Sequence, residues 1–127
     1  MILKLFSPRQ ISGNLAEDEA LVYLQQNGLQ LITRNFRCKG GEIDLIMSES
    51  AKSANLVFVE VRQRADQRHG GAAASVTRSK QQRLIIAAQF FLQRYREPPA
   101  CRFDVIAIEG KDESQRINWI KNAFETY

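Results

Sequence analysis

Two cysteines and one histidine are all that 127 residues offer to a thiolate–imidazole metal site. Cys38 and Cys101 lie far apart, and neither has a second cysteine or a histidine at ligand spacing, which argues against a structural zinc site. Both thiols are expected to be reduced, and His69 is expected in a glycine-assisted turn rather than as a ligand. Long apolar runs are also missing. No segment approaches the roughly 20 residues of a membrane helix. The stretch Met1-Ile2-Leu3-Lys4-Leu5-Phe6 is too short for a signal-peptide core and is followed by no small-residue cleavage site. A cytoplasmic protein with no membrane partner is expected. There is no repeat or low-complexity tract, and 44% hydrophobic with 25% charged residues is the composition of an ordinary globular chain. A chain of this length should bury roughly two thirds of its surface without staples. Residues 1–12 read as a loose arm and 13–127 as a single domain, so any site must be built on one core.

The net charge of +4 is small, but its distribution is uneven. Between Arg62 and Arg102 nine basic side chains stand against Asp66 and Glu97, so this third carries +7 and the remainder −3. A polarised chain of this kind suits a polyanionic partner better than its total charge suggests.

Periodicity supplies the elements. From Asn14 to Asn27, Ala16, Ala20, Leu21, Tyr23 and Leu24 fall at helical spacing, with Gly28 placed to end the helix. Glu17 shares the apolar stripe with Leu21 and Leu24, whereas Asp18 and Glu19 turn toward solvent. Leu29–Arg37 reads as a strand and Lys39-Gly40-Gly41 as a turn. In a second strand, Glu42–Met47, strict alternation places Ile43, Leu45 and Met47 on one face and Glu42, Asp44 and Ile46 on the other. After a polar loop from Ser48 to Asn55, Leu56–Arg64 alternates Val57, Val59 and Val61 with Phe58, Glu60, Arg62 and Arg64. A helix from about Val76 to Arg96 ends at Pro98-Pro99. Cys101–Glu109 and Arg116–Ile120 complete the strands, and Lys121–Glu125 reads as a closing turn of helix. The order α-β-β-β-α-β-β implies an α/β fold, a mixed sheet flanked by helices.

Asp44 and Glu60 interrupt otherwise apolar strands. With a connecting loop of about seven residues they come opposite or nearly opposite each other across one ladder. Two carboxylates at about 5 Å repel by about 3 kcal/mol at an effective dielectric near 20, and Glu17 adds to this if it joins them. A divalent cation, a shared proton or a neighbouring arginine would offset the repulsion. Carboxylates with a backbone carbonyl suit Mg²⁺ or Mn²⁺, and such an ion can act on a phosphodiester. The competing arrangement is an Asp44-Arg62-Glu60 ion-pair cluster without metal. Thr77, Arg78, Lys80 and Arg83 gather at a helix N-terminus, which favours anions. With Arg62, Arg64 and Arg68 they form a candidate nucleic-acid surface, against which stands a merely solvated basic face. Arg102 and Asp104 are expected to pair beside the site. Trp119 and Phe124 are expected in the core, with base stacking the alternative for an exposed Trp119.

The segments Gly41-Glu42-Ile43-Asp44-Leu45-Ile46, Val57-Phe58-Val59-Glu60-Val61-Arg62, Gly70-Gly71-Ala72-Ala73-Ala74-Ser75-Val76-Thr77 and Arg102-Phe103-Asp104-Val105 resemble the YraN-type family of small bacterial proteins. The resemblance runs over nearly the whole chain. That family is similar to archaeal Holliday-junction resolvases, so the resemblance implies a restriction-endonuclease-like core with an acid on one strand and Glu-x-Lys on the next. Position by position, it implies Asp44 and Glu60 as metal-binding acids, Glu17 as the helix acid and Val61 as the donor of a backbone carbonyl. At the lysine position this chain has Arg62, which stays protonated and can hold a phosphate but cannot act as a general base. Lys80 is a displaced substitute if its helix turn approaches Glu60, and otherwise a solvated residue or phosphate contact.

The expected function is therefore a Mg²⁺- or Mn²⁺-dependent endonuclease acting on DNA, ahead of RNA, with branched DNA as a candidate substrate. Cutting two strands symmetrically from a domain of about 14 Å radius would require a homodimer. The alternatives are a catalytically inactive nucleic-acid-binding module on the same fold, in which Arg62 neutralises the acids, and a protein-interaction adaptor with a basic face.

Overall fold

The computed structural model describes residues 15–50, 52, 54–64, 75–110 and 112–125. The expected arm and the segment with Arg68, His69, Gly70 and Gly71 lie outside these residues. Helix α1 (Leu15–Gln26) buries Ala16, Ala20, Leu21 and Leu24, the residues its period selects, together with Glu17. It closes through Gly28, whose φ of 95° lets the Gly28 N–H reach the Gln25 carbonyl and the Leu29 N–H reach that of Leu24.

Strands β1 (Gln30–Cys38), β2 (Gly41–Ser48) and β3 (Leu56–Arg64) follow as an antiparallel meander. Helix α2 (Arg78–Leu92) crosses over to β4 (Cys101–Glu109), which runs parallel to β3, and β5 (Arg116–Ile120) pairs antiparallel with β4. The result is one five-stranded mixed sheet in sequence order, with the element order α-β-β-β-α-β-β expected from the pattern. Each face buries its own core. Toward α1 lie Leu45, Met47, Val57, Val59, Ile106 and Ile108. Toward α2 lie Ile43, Ile46, Phe58, Phe103 and Val105, packed on Leu84, Ala87, Ala88 and Phe91.

Three expectations are corrected. Helix α2 is shorter than Val76–Arg96. Thr77 is extended (φ −68°, ψ 166°) and caps the helix by accepting the Lys80 N–H. At the other end Gln93, Arg94 and Tyr95 bond back only three residues, a tightening turn ahead of Pro98. Lys121–Glu125 is not helical, because the Asn122 N–H is taken by Asp104 and the Ala123 N–H by the Phe103 carbonyl. The alternation in β2 also breaks. Leu45 and Met47 face α1, but Ile43 faces α2. The partner strand turns with it: Arg34, opposite Leu45, reaches α1, while Phe36, opposite Ile43, packs toward α2. Between them Asn35 adopts a φ of 55°, a left-handed conformation that asparagine tolerates better than most residues. Asp44 stands at the same level of β2.

Candidate active site

The face switch frees Asp44 from the sheet's alternation, and the β2–β3 ladder ends at the same place. Its last pair is Leu45↔Val59, so the next would set Asp44 opposite Glu60, as the sequence implied. There β3 loses β2 as a partner and continues along β4 as far as Arg64↔Glu109. The Val61 N–H is satisfied by a side chain: it donates to Asp44 Oδ2 at 2.8 Å. A strand residue turns its N–H and C=O toward the same neighbour, so the Val61 carbonyl shares the edge that β2 has left.

Glu60 is 8% exposed. Burial, then the Asp44 charge, then a hydrogen bond between the two carboxyls push its pKa up to about 8, against the opposing pull of Arg62 and Lys80. These influences favour the protonated form of Glu60, whose carboxyl then shares a hydrogen bond with Asp44. Arg62 Nε lies 3.3 Å from Glu60 Oε2 but is not aligned to donate to it, and this buried nitrogen has no hydrogen-bond partner among the described residues. The ion pair is close but loosely oriented, a weaker neutraliser than a bidentate fork.

On the α2 side Glu60 shares a small cavity of about 10 Å³ with Glu42, Lys80, Arg83 and Leu84. That is room for one water or ion. Helix α2 reaches this point because β2 begins with Gly41. A Cβ there would run into the Arg83 carbonyl and come within 2.8 Å of the Ala87 nitrogen. Arg83 Nη2 is 3.8 Å from Glu42 at the rim. Thr77 caps the helix, whose first turn carries no acid, and Arg78 and Lys80 are exposed on it. Arg64 is exposed at the end of β3, and Arg68 lies outside the described residues.

Glu17 is buried as its stripe position implied, but its principal partner is a residue that sequence reasoning left unassigned. Arg34 donates to Glu17 Oε1 from Nε at 3.1 Å and from Nη2 at 2.9 Å, and to Asp18 Oδ1 at 2.9 Å. Asp18 thus turns inward to Arg34 rather than outward to solvent. Glu17 is also hydrogen-bonded by the Asn35 side chain and feels the charge of Asp44. Burial is the largest influence and raises its pKa, with Arg34 pulling the other way. Glu17 and Glu60 approach the Asp44 level from opposite faces of the sheet. Among the described residues no group of three or more His, Cys, Asp and Glu side chains converges as a ready-made metal cage. The donors at the ladder's end are the Asp44 and Glu60 carboxylates and the Val61 carbonyl.

The Arg102–Asp104 pair forms at 3.0 Å but not beside Glu60. Asp104 alternates with Phe103 and Val105 and so lies on the opposite face. It accepts from Arg102, Trp119 Nε1 and the Asn122 N–H, while Arg102 also pairs with Glu49. This network ties β5 to β4. It also explains the position of Trp119, half-buried against the α1-side core, and Phe124 stacks on Phe103 in the other core.

A mixed sheet whose central strands part around paired acids, with a basic helix start beside them, is the architecture of the restriction-endonuclease-like class. Residues 16–108 match the model of "Uncharacterised protein family UPF0102", and the chain belongs to that family. It is 65% identical over 118 residues to a UPF0102 protein of Herminiimonas arsenicoxydans, covering 93% of this chain and 90% of that one. A UPF0102 protein of a Janthinobacterium strain is 59% identical over 117 residues, covering 92% and 89%. One of Ralstonia pickettii is 58% identical over 117 residues, covering 89% of each. Among the described residues no helix is long and apolar enough to cross a membrane.

Proposed function

We propose that the chain is a divalent-metal-dependent nuclease acting on DNA phosphodiesters. The observation that carries this reading is the end of the β2–β3 ladder, where Asp44, Glu60 and the free edge of Val61 meet. Two carboxylates and a carbonyl are a hard-oxygen donor set. The Asp44 charge disfavours ionisation of the buried Glu60 beside it, a cost that a dication would offset. These residues fit Mg²⁺ or Mn²⁺, which Asp44, Glu60 and the Val61 carbonyl would hold. Such an ion supplies Lewis acidity to a phosphate oxygen and lowers the pKa of a bound water.

In hydrolysis the water oxygen bonds to phosphorus, the bond to one sugar oxygen breaks, and that oxygen ends protonated. Arg62 holds a non-bridging oxygen and takes no part in proton transfer, because its guanidinium stays charged. Glu60 would act ionised, as one of the residues that hold the metal. Glu17, clamped by Arg34 and Asn35, orients water from the α1 side. Arg64, Arg68, Thr77, Arg78, Lys80 and Arg83 follow the strand, with the first-turn N–H groups of α2 adding to the anion attraction. DNA ahead of RNA, and branched DNA in particular, rest on the likeness to junction resolvases. Symmetric cutting of two strands requires a homodimer.

The test is a cleavage screen with Mg²⁺ and Mn²⁺ over single strands, duplexes, flaps and four-way junctions. Metal-dependent cleavage lost in Glu60→Ala supports the reading, and absence of cleavage from every substrate overturns it. The closeness of Arg62 to Glu60 favours a second reading, a DNA-binding module in which the arginine has replaced the metal. That module would bind DNA equally well in EDTA.

A further inference from the structure

We propose that Lys80 is a catalytic residue of this site, its ammonium contacting a non-bridging oxygen of the scissile phosphodiester at the mouth of the Glu60 cavity. The inference rests on the nuclease reading and adds to it a second cation, beside Arg62, that faces the reacting phosphate. Among the described residues three cationic side chains border Glu60 or its cavity. Arg62 Nε lies 3.3 Å from Glu60, and Arg83 is drawn to Glu42 at 3.8 Å. Lys80 lines the same cavity and forms no ion pair within 4 Å among the described residues. Among the described residues its ammonium thus borders the cavity with no carboxylate at ion-pair distance, while its charge still acts on Glu60.

Its placement is fixed through the backbone. The Lys80 N–H donates to Thr77 Oγ1 at 3.3 Å, which sets the first turn of α2. The bare Gly41 lets that helix rest directly on β2, three residues before Asp44. A cavity of about 10 Å³ admits a water or an ion but no phosphate group. The phosphodiester must therefore lie outside it, on the rim where Lys80 is exposed. A compact ammonium with three donors on a four-carbon stem can follow such an oxygen as charge builds on it.

The test uses the DNA that the wild type cuts fastest in Mn²⁺. Lys80→Ala should lower kcat by about 100-fold, the scale for losing one donor to the developing charge, with KM changed by less than about threefold. Lys80→Ala/Arg62→Lys should recover at least tenfold of that loss. A rise in KM with kcat intact would make Lys80 a strand-binding residue only and would overturn the proposal while leaving the nuclease reading in place. No cleavage by the wild type overturns both. A readout without turnover is the ¹³C spectrum of the protein with its lysines dimethylated. On titration with Mn²⁺ the Lys80 signal, assigned from Lys80→Arg, should broaden before those of the other lysines. If it broadens later than they do, Lys80 is not at the site.

Discussion

Asp44 Oδ2 accepts the Val61 N–H at 2.8 Å, standing where a strand carbonyl would stand in an unbroken ladder. The same carboxylate closes the sheet and faces Glu60, so its removal has two opposed effects. Asp44→Ala leaves a partly buried N–H without its partner, which costs about 1–3 kcal/mol. It also removes the charge that Glu60 resists. Thermal melts should show the variant destabilised at pH 6, and the gap should narrow by pH 9, where the wild type carries both charges.

The pH dependence of stability follows from the raised pKa of Glu60. Between about 4.5 and about 8 the native metal-free protein binds more protons than the unfolded chain, so stability falls as pH rises through that window. Burial of Glu17 acts in the same direction. Glu60→Gln should flatten the profile, measured as urea midpoint against pH. Metal binding must expel the shared proton, so Mn²⁺ affinity should rise with pH up to about 8 and level off above it.

The Glu17–Arg34 pair is almost fully buried, its side chains 5% and 6% exposed. Breaking such a pair leaves an uncompensated charge and costs about 3–5 kcal/mol. Arg34→Ala should fall in that range by denaturant unfolding. Asp18→Ala, which leaves Glu17 on the guanidinium, should cost less than half as much.

Gly41→Ala should destabilise by about 1–3 kcal/mol, because the added methyl overpacks the crossing of α2 over β2. The same shift carries Lys80 and Arg83 away from Glu60. DNA cleavage should therefore fall further than the melting temperature alone accounts for.

Most of this arrangement was legible before the fold, for reasons that differ by residue. Glu60 showed itself as a charge inside a β-branched run, and Glu17 as an acid on an apolar helical stripe; burial confirms both positions. The β2–β3 register followed from the loop length. Strict alternation, however, put Ile43 with Leu45, because a period of two contains no signal for a local face switch. The one available sign was Asn35, a residue tolerant of positive φ inside a strand. Nothing in the sequence singles out Arg34, because an arginine on a mostly exposed edge strand reads as solvated, and only the packing of α1 over β1 gives it carboxylate partners. The sequence predicts the Arg102–Asp104 pair but not its place. Its role in holding β5 depends on the Asn122 turn, which helical propensity had hidden.

The central claim is that Asp44 and Glu60 form a divalent-metal site. The most direct measurement is calorimetric titration of Mn²⁺ into the wild type and Asp44→Ala at pH 7, in two buffers of different ionisation enthalpy. The account predicts one site per chain at millimolar or lower concentration, absent from Asp44→Ala, with a proton released on binding. No Asp44-dependent binding at millimolar Mn²⁺ would contradict it.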